Sequence, residues 1–162
     1  PLNLIHVGEI VRIFPNAKFI FAIRNTYDVI LSCFMQQFSP NDAMANLTNF
    51  DDATNLYDLV MNLWLKYNET LAVNVKIIKY ENVVENFDKS INNLLNFLEL
   101  EWDDKVKEYY KTAKNRGMIN TPSYNQVNMP LYNKSINRWK NYANKFLNNK
   151  KILDKWTKKF DY

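Results

Sequence analysis

Apolar positions change their spacing several times along the chain, and each change predicts an element. Leu2, Ile5, Val7, Ile10, Val11 and Phe14 recur at helical spacing and are stopped by Pro15 and Asn16. Phe19 to Ile23 is a short continuous apolar run, the pattern of a strand buried on both faces. The chain turns at Arg24-Asn25-Thr26, and Val29, Ile30, Cys33 and Phe34 then mark a helix over Tyr27–Phe38. Asn25 or Thr26 can cap it, and Asp28 suits the positive end of its dipole. Residues 43–49 lack a clear period, between a lid and a short helix. From Asp51-Asp52 a long helix follows, with Ala53, Leu56, Tyr57, Val60, Leu63, Trp64 and Tyr67 on one face. Val75–Tyr80 predicts a second strand, Glu81–Asn86 a turn, and Phe87–Leu98 a helix with Ile91, Leu94, Leu95 and Leu98 inside. Trp102–Lys114 reads as a further helix, and Ser135–Tyr142 and Lys150–Phe160 as two basic ones. Ahead of these two basic helices, Thr121–Tyr132 has neither period, holds two prolines and many amides and hydroxyls, and has the character of a functional loop. Strand, helices, strand, helix is a βαβ pattern and predicts an α/β fold with a parallel sheet and flanking helices.

Composition narrows the picture. The 162 residues suffice for one domain with a core, and 47% hydrophobic residues with 15% aromatics exclude a disordered chain. The net charge is +4 and the pI about 9.0, with the excess mostly between Lys134 and Lys159. That favours anionic ligands but is far from the dense basic stripe of a nucleic-acid binder. Cys33 is the only cysteine, so no internal disulfide is possible, which fits a reducing, cytoplasmic setting. It is expected as a small hydrophobe in the helix face. No apolar run spans a bilayer and no signal peptide is visible. With only Gly8 and Gly117, no glycine-rich phosphate loop exists. The chain opens on Pro1 in mid-pattern, and two strands are too few for a stable sheet under this much helix. A fragment is therefore expected, with the missing strands upstream.

The chemistry gathers at strand ends. Arg24 stands where the first strand becomes a helix, the edge at which open α/β sheets bind ligands, and suits an anion, above all a phosphate. Ser32 lies on the same helical face as Asp28. A surface salt bridge and a solvent-facing serine are the alternative readings. Tyr80, at the end of the second strand, either faces a ligand at that edge or fills the core. Ser123, Tyr124, Gln126 and Tyr132 can offer hydroxyls and amides, or belong to a structural crossover. Arg138 beside Trp139 could bind phosphate and cover a base, or simply start an exposed helix. His6, the single histidine, shows no obvious acidic partner and reads as structural. No cluster has metal-ligand spacing, and no hydrolase triad can be built.

Several of these pieces resemble sulfotransferases. Phe14-Pro15-Asn16-Ala17-Lys18-Phe19 followed by Arg24 and Ser32 is similar to that family's 3′-phosphate-binding strand, turn and helix. Lys79-Tyr80-Glu81-Asn82-Val83-Val84, Phe97-Leu98-Glu99-Leu100-Glu101-Trp102, and the Ser123, Gln126-Val127, Pro130 tract before Arg138-Trp139 extend the likeness over nearly the whole chain. It is strongest towards protein-tyrosine sulfotransferases and bacterial sulfotransferases that carry tetratricopeptide repeats. The resemblance implies a P-loop NTPase-like fold, here incomplete, with residues 1–162 the C-terminal portion of one domain. The first strand, the 5′-phosphosulfate loop and the catalytic residues are expected upstream of residue 1. It also implies metal-free transfer of a sulfuryl group from 3′-phosphoadenosine 5′-phosphosulfate to a hydroxyl or amine, leaving 3′,5′-adenosine bisphosphate. Arg24 and Ser32 would hold the 3′-phosphate and Tyr80 would contact the nucleotide. Residues 123–132 would wrap over it, and Arg138 would stand in place of a family lysine. Gln36 falls where tyrosine-sulfating members place a second arginine. The acceptor, a peptide or a carbohydrate among the candidates, is not readable from these residues, and neither is the oligomeric state. A P-loop-type nucleotide kinase fragment and a non-catalytic interaction module are the competing readings.

Overall fold

The computed structural model describes residues 2–36, 38, 41–115 and 128–162. Strand β1 (Lys18–Ile23) pairs in parallel with β2 (Asn74–Lys79), in register from Lys18 opposite Asn74 to Ile23 opposite Lys79. Around this two-stranded sheet stand α1 (Val7–Ile13), α2 (Thr26–Met35), α3 (Asp42–Ala45), α4 (Phe50–Thr70), α5 (Tyr80–Glu85), α6 (Phe87–Leu98), α7 (Tyr109–Asn115) and α8 (Lys150–Lys159). The parallel βαβ arrangement follows the predicted pattern.

Local chemistry sets the boundaries. Asn25, not Thr26, caps α2, its side-chain oxygen accepting the Tyr27 amide at 3.1 Å. Asn49 caps α4 in the same way through the Asp52 amide at 2.8 Å. Along α4, Ala53, Thr54, Val60, Met61 and Trp64 are buried, one stripe at 3.6-residue spacing. One side of β1 turns Phe21 and Ile23 into a core with Val7, Met61, Trp64, Trp156 and Phe160. A second core joins Tyr27, Ile30 and Leu31 of α2 to Leu47, Ala53, Phe146 and Leu153. The C-terminal helix α8 thus serves both, with Trp156 in one and Leu153 in the other.

Several expectations are corrected. The first helix is a 3-10 turn over Leu2–His6 before α1, and its end is not buried: Ile13 and Phe14 are exposed. Strand β1 is buried on one face only, since Ile20 is 47% exposed. A run of consecutive apolar residues does not tell the covered face from the open one: Phe21 and Ile23 are buried, while Ile20 and Ala22, which alternate with them, are exposed. Helix α2 stops at Met35 rather than Phe38. The segment after β2 is helical from Tyr80, because its apolar Val83 and Val84 pack as one turn of α5. No residue of α6 is fully buried; Ile91, Leu94, Leu95 and Leu98 are half-covered, against β2 and α5. In place of one helix from Trp102, a 3-10 turn Asp104–Glu108 precedes α7. In place of a helix from Ser135, a 3-10 segment Arg138–Phe146 follows Asn137, whose φ of 59° is left-handed, and breaks at Tyr142. Residues 43–49 resolve into α3 and a turn.

Asp58 fastens α4 to α8. Its Oδ1 accepts Trp156 Nε1 at 2.6 Å and Lys155 Nζ at 2.9 Å, and its Oδ2 accepts Asn62 Nδ2 at 2.9 Å. Burial alone pushes this carboxyl up, but the bonds from Lys155, Trp156 and Asn62 and the Lys155 charge outweigh it, and the net pKa is below the ordinary value. A depressed folded-state pKa gives stability that is present above the unfolded value and lost as pH falls through the folded one. Asp58→Asn is therefore expected to cost about 1 kcal/mol at neutral pH. The gap to the wild type should close as the pH falls from about 4 through the depressed value, as measured by thermal melts across that range.

Candidate functional site

The site is built on the turn between β1 and α2. Arg24 leaves the carboxyl end of β1, and α5 begins at the same end of β2, so Tyr80 meets it there. The guanidinium carbon of Arg24 lies 5.0 Å from the centre of the Tyr80 ring, a cation–π contact. Its Nη2 donates to the Ser135 carbonyl and lies 4.0 Å from Asp28 Oδ2. The Tyr80 hydroxyl donates to the Tyr132 carbonyl at 3.2 Å. Among the described residues, Arg24 Nε is buried without a hydrogen-bond partner.

Asp28 joins the turn to the segment after residue 128. One oxygen accepts the Asn137 amide at 2.7 Å and the other the Trp139 amide at 2.9 Å. The residue is 1% exposed. Burial pushes its carboxyl above the ordinary range, and the Trp139 amide, the Arg24 charge and the Asn137 amide only partly pull it back. Next to it, Tyr27 stacks on Trp139 with ring centres 4.3 Å apart and donates its hydroxyl to Asp154 Oδ1 at 2.6 Å. Burial, and then that bond to Asp154, push the Tyr27 hydroxyl well above its usual value, so it is a fixed donor at any physiological pH. Glu81 completes the surround: Oε1 accepts the Asn25 amide at 2.9 Å and Oε2 the Tyr162 hydroxyl at 2.8 Å.

The structure thus brings Arg24 and Tyr80 together and sets the Tyr132 backbone beside them. Arg24 is no simple surface salt bridge, being largely covered, with a side-chain exposure of 20%. Tyr80 sits at the first position of a helix, not the last of a strand, yet at the anticipated edge. Ser32 is partly buried on α2, one turn beyond Asp28. Arg138 is exposed and opens the segment whose neighbours Asn137 and Trp139 bind Asp28. Ser123, Tyr124 and Gln126 lie outside the described residues. Asp28 and Glu81 have larger parts than their sequence context suggests. For Asp28 the spacing of four from Arg24 was an available signal; for Glu81 there was none.

Other candidates separate from this site. Cys33 is partly buried against the second core, and burial raises its thiol, as befits a packing residue. His6 does have an acidic partner: its Nδ1 lies 2.8 Å from Glu9 Oε2, on an exposed turn. Among the described residues no group of three His, Cys, Asp or Glu side chains is placed to hold a metal ion, and no helix is long and apolar enough to cross a membrane.

The geometry is that of an α/β domain with a parallel sheet and a braced arginine at its carboxyl edge, the edge at which open α/β sheets bind their ligands. Residues 1–104 match the model of the sulfotransferase family. The chain is also 33% identical, over 147 residues, to an uncharacterized protein of Aquifex aeolicus (strain VF5). That alignment covers 88% of this chain and 18% of the relative, so the chain spans less than a fifth of that protein's length. The chain belongs to the sulfotransferase family, whose fold is P-loop-like.

Proposed function

We propose that this chain supplies the nucleotide-binding half of a sulfotransferase acting from 3′-phosphoadenosine 5′-phosphosulfate, with Arg24 as the anchor of the donor's 3′-phosphate. The observation that carries the reading is Arg24 itself: a covered guanidinium at the sheet's carboxyl edge, seated on Tyr80, with a buried Nε that has no partner among the described residues. A phosphate oxygen suits that donor, since a charge-assisted hydrogen bond is worth about 1.5–3 kcal/mol. Ser32 would add a hydroxyl from α2. Arg138, exposed on the segment latched by Asp28, would add a second cation, with the fork geometry of arginine in place of a lysine's point charge. Ser123, Tyr124, Gln126 and Tyr132 would cover the nucleotide. Two cations, hydroxyls and loop amides together suffice for micromolar affinity, about 8 kcal/mol.

In this role the residues of the chain bind and orient. The donor, when bound, supplies the sulfuryl group, passed to a hydroxyl of the acceptor by in-line displacement at sulfur without a metal. A peptide tyrosine and a carbohydrate are the candidate acceptors. A reducing, cytoplasmic setting and association with tetratricopeptide repeats belong to the same reading. No residue of 1–162 is assigned as the base. A transfer assay with radiolabelled donor tests the division of labour: the intact protein should sulfurylate an acceptor in the presence of a metal chelator, and residues 1–162 alone should not. Robust turnover by residues 1–162 alone would sink the claim that the chemistry resides elsewhere.

A further inference from the structure

We infer that Glu81 is a positioning residue for the Arg24 site, an inference that rests on the nucleotide-binding reading above. Its two oxygens hold two different parts of the molecule. Oε1 takes the backbone amide of Asn25, the residue after Arg24 and the cap of α2, at 2.9 Å. Oε2 takes the hydroxyl of Tyr162, in the tail after α8, at 2.8 Å. Tyr162 is held in turn by the end of β2, where Lys79 Nζ lies 4.7 Å from its ring centre and donates to the Asp161 carbonyl at 2.7 Å. Burial, and then the bond to Glu81, raise the Tyr162 hydroxyl far above its usual value, so it remains a donor. The tail reaches this position through a left-handed Asp161, φ 56°.

The consequence lies in adjacency. Tyr80 and Glu81 are consecutive in the first turn of α5. Tyr80 places its ring against the Arg24 guanidinium, while Glu81 fixes the backbone just beyond Arg24. One turn of helix thus sets both where the arginine is attached and where its side chain comes to rest. Without Glu81, the Asn25 amide and the Tyr162 hydroxyl lose their acceptor, and the backbone beyond Arg24 loses its direct bond to α5, leaving the β1–β2 ladder, which ends at Ile23 opposite Lys79, to hold it beside Tyr80. A guanidinium that must find a phosphate from a mobile stem gives up much of its gain to ordering. The residue acts through Arg24 and need not touch the ligand.

The test compares adenosine 3′,5′-bisphosphate with adenosine 5′-monophosphate by calorimetry on the intact protein. The wild type should prefer the bisphosphate. Glu81→Ala should lose about tenfold of that preference, with the monophosphate affinity little changed. Glu81→Gln keeps an oxygen for the Asn25 amide and a polar partner for Tyr162, and should restore the preference. Tyr162→Phe should show a smaller loss in the same ratio, and carries the comparison if Glu81→Ala does not fold. A residue that merely stabilised the fold would weaken both nucleotides together, and that result overturns the inference. An unchanged ratio in Glu81→Ala and Tyr162→Phe overturns it as well, while leaving the functional reading intact. A wild type that binds neither nucleotide overturns both.

Discussion

Arg24→Ala is expected to weaken binding of adenosine 3′,5′-bisphosphate by about a hundredfold, since two charge-assisted hydrogen bonds at the low end of their range amount to about 3 kcal/mol. The guanidinium lies on the Tyr80 ring, donates to the Ser135 carbonyl and stands 4.0 Å from Asp28. Its position is therefore set before any ligand arrives, and little of the binding energy is spent on ordering it. Arg24→Lys should recover only part of the loss, because an ammonium cannot present the planar fork. The alanine variant also leaves Asp28 buried without its cation, although two backbone amides still satisfy it. A modest fall in melting temperature should accompany the loss of affinity, and circular dichroism separates the two. Unchanged affinity in a folded Arg24→Ala protein would contradict the role given to Arg24.

Trp156→Ala is expected to have the largest effect on stability, about 3–5 kcal/mol in urea unfolding. Trp156 is fully buried; it stacks on Phe160 with ring centres 5.8 Å apart and meets Tyr57 edge-on at 6.3 Å. It also packs in the same core as Phe21 and Ile23 of β1, so its loss opens a cavity beneath the strand that carries Arg24. With total stabilities of about 5–15 kcal/mol, such a loss is a large share of the whole. Trp156→Phe keeps a ring and should cost much less, losing mainly the 2.6 Å bond to Asp58, which retains Lys155 and Asn62. Equal costs for the two variants would contradict a packing origin.

Much of the scaffold was legible because its signals are local. The apolar run at 19–23, the capping amide of Asn25 and the stripe along α4 each announce their element within a few residues. So did the meeting of Arg24 and Tyr80: parallel strands put both carboxyl ends at one edge, and an error of one residue in where β2 ends does not move Tyr80 away from it. What was not legible depends on distance along the chain. Asp28 finds its amide partners at Asn137 and Trp139, 109 and 111 residues on, and Glu81 finds Tyr162 81 residues on. The spacing of Asp28 from Arg24 hints at their pairing but not at the distant amides, and nothing in the spacing of Glu81 distinguishes it from a dipole-favoured acid in the first turn of a helix. Nor could an apolar run tell that Ile20 faces solvent. The segment over 138–146 misled for a related reason: its aromatic spacing suits a helix, but Trp139 and Phe146 are spaced to reach α2, with Tyr27 between them.

The central claim is that the Arg24 turn reads a 3′-phosphate on an adenosine nucleotide. Its most direct test is a pair of calorimetric titrations of the intact wild-type protein in the presence of a chelator, one with adenosine 3′,5′-bisphosphate and one with adenosine 5′-monophosphate. The account predicts micromolar binding of the bisphosphate and binding of the monophosphate weaker by at least about tenfold, the worth of a single charge-assisted hydrogen bond. Equal affinities for the two, or tight binding of ATP that depends on magnesium, would contradict it.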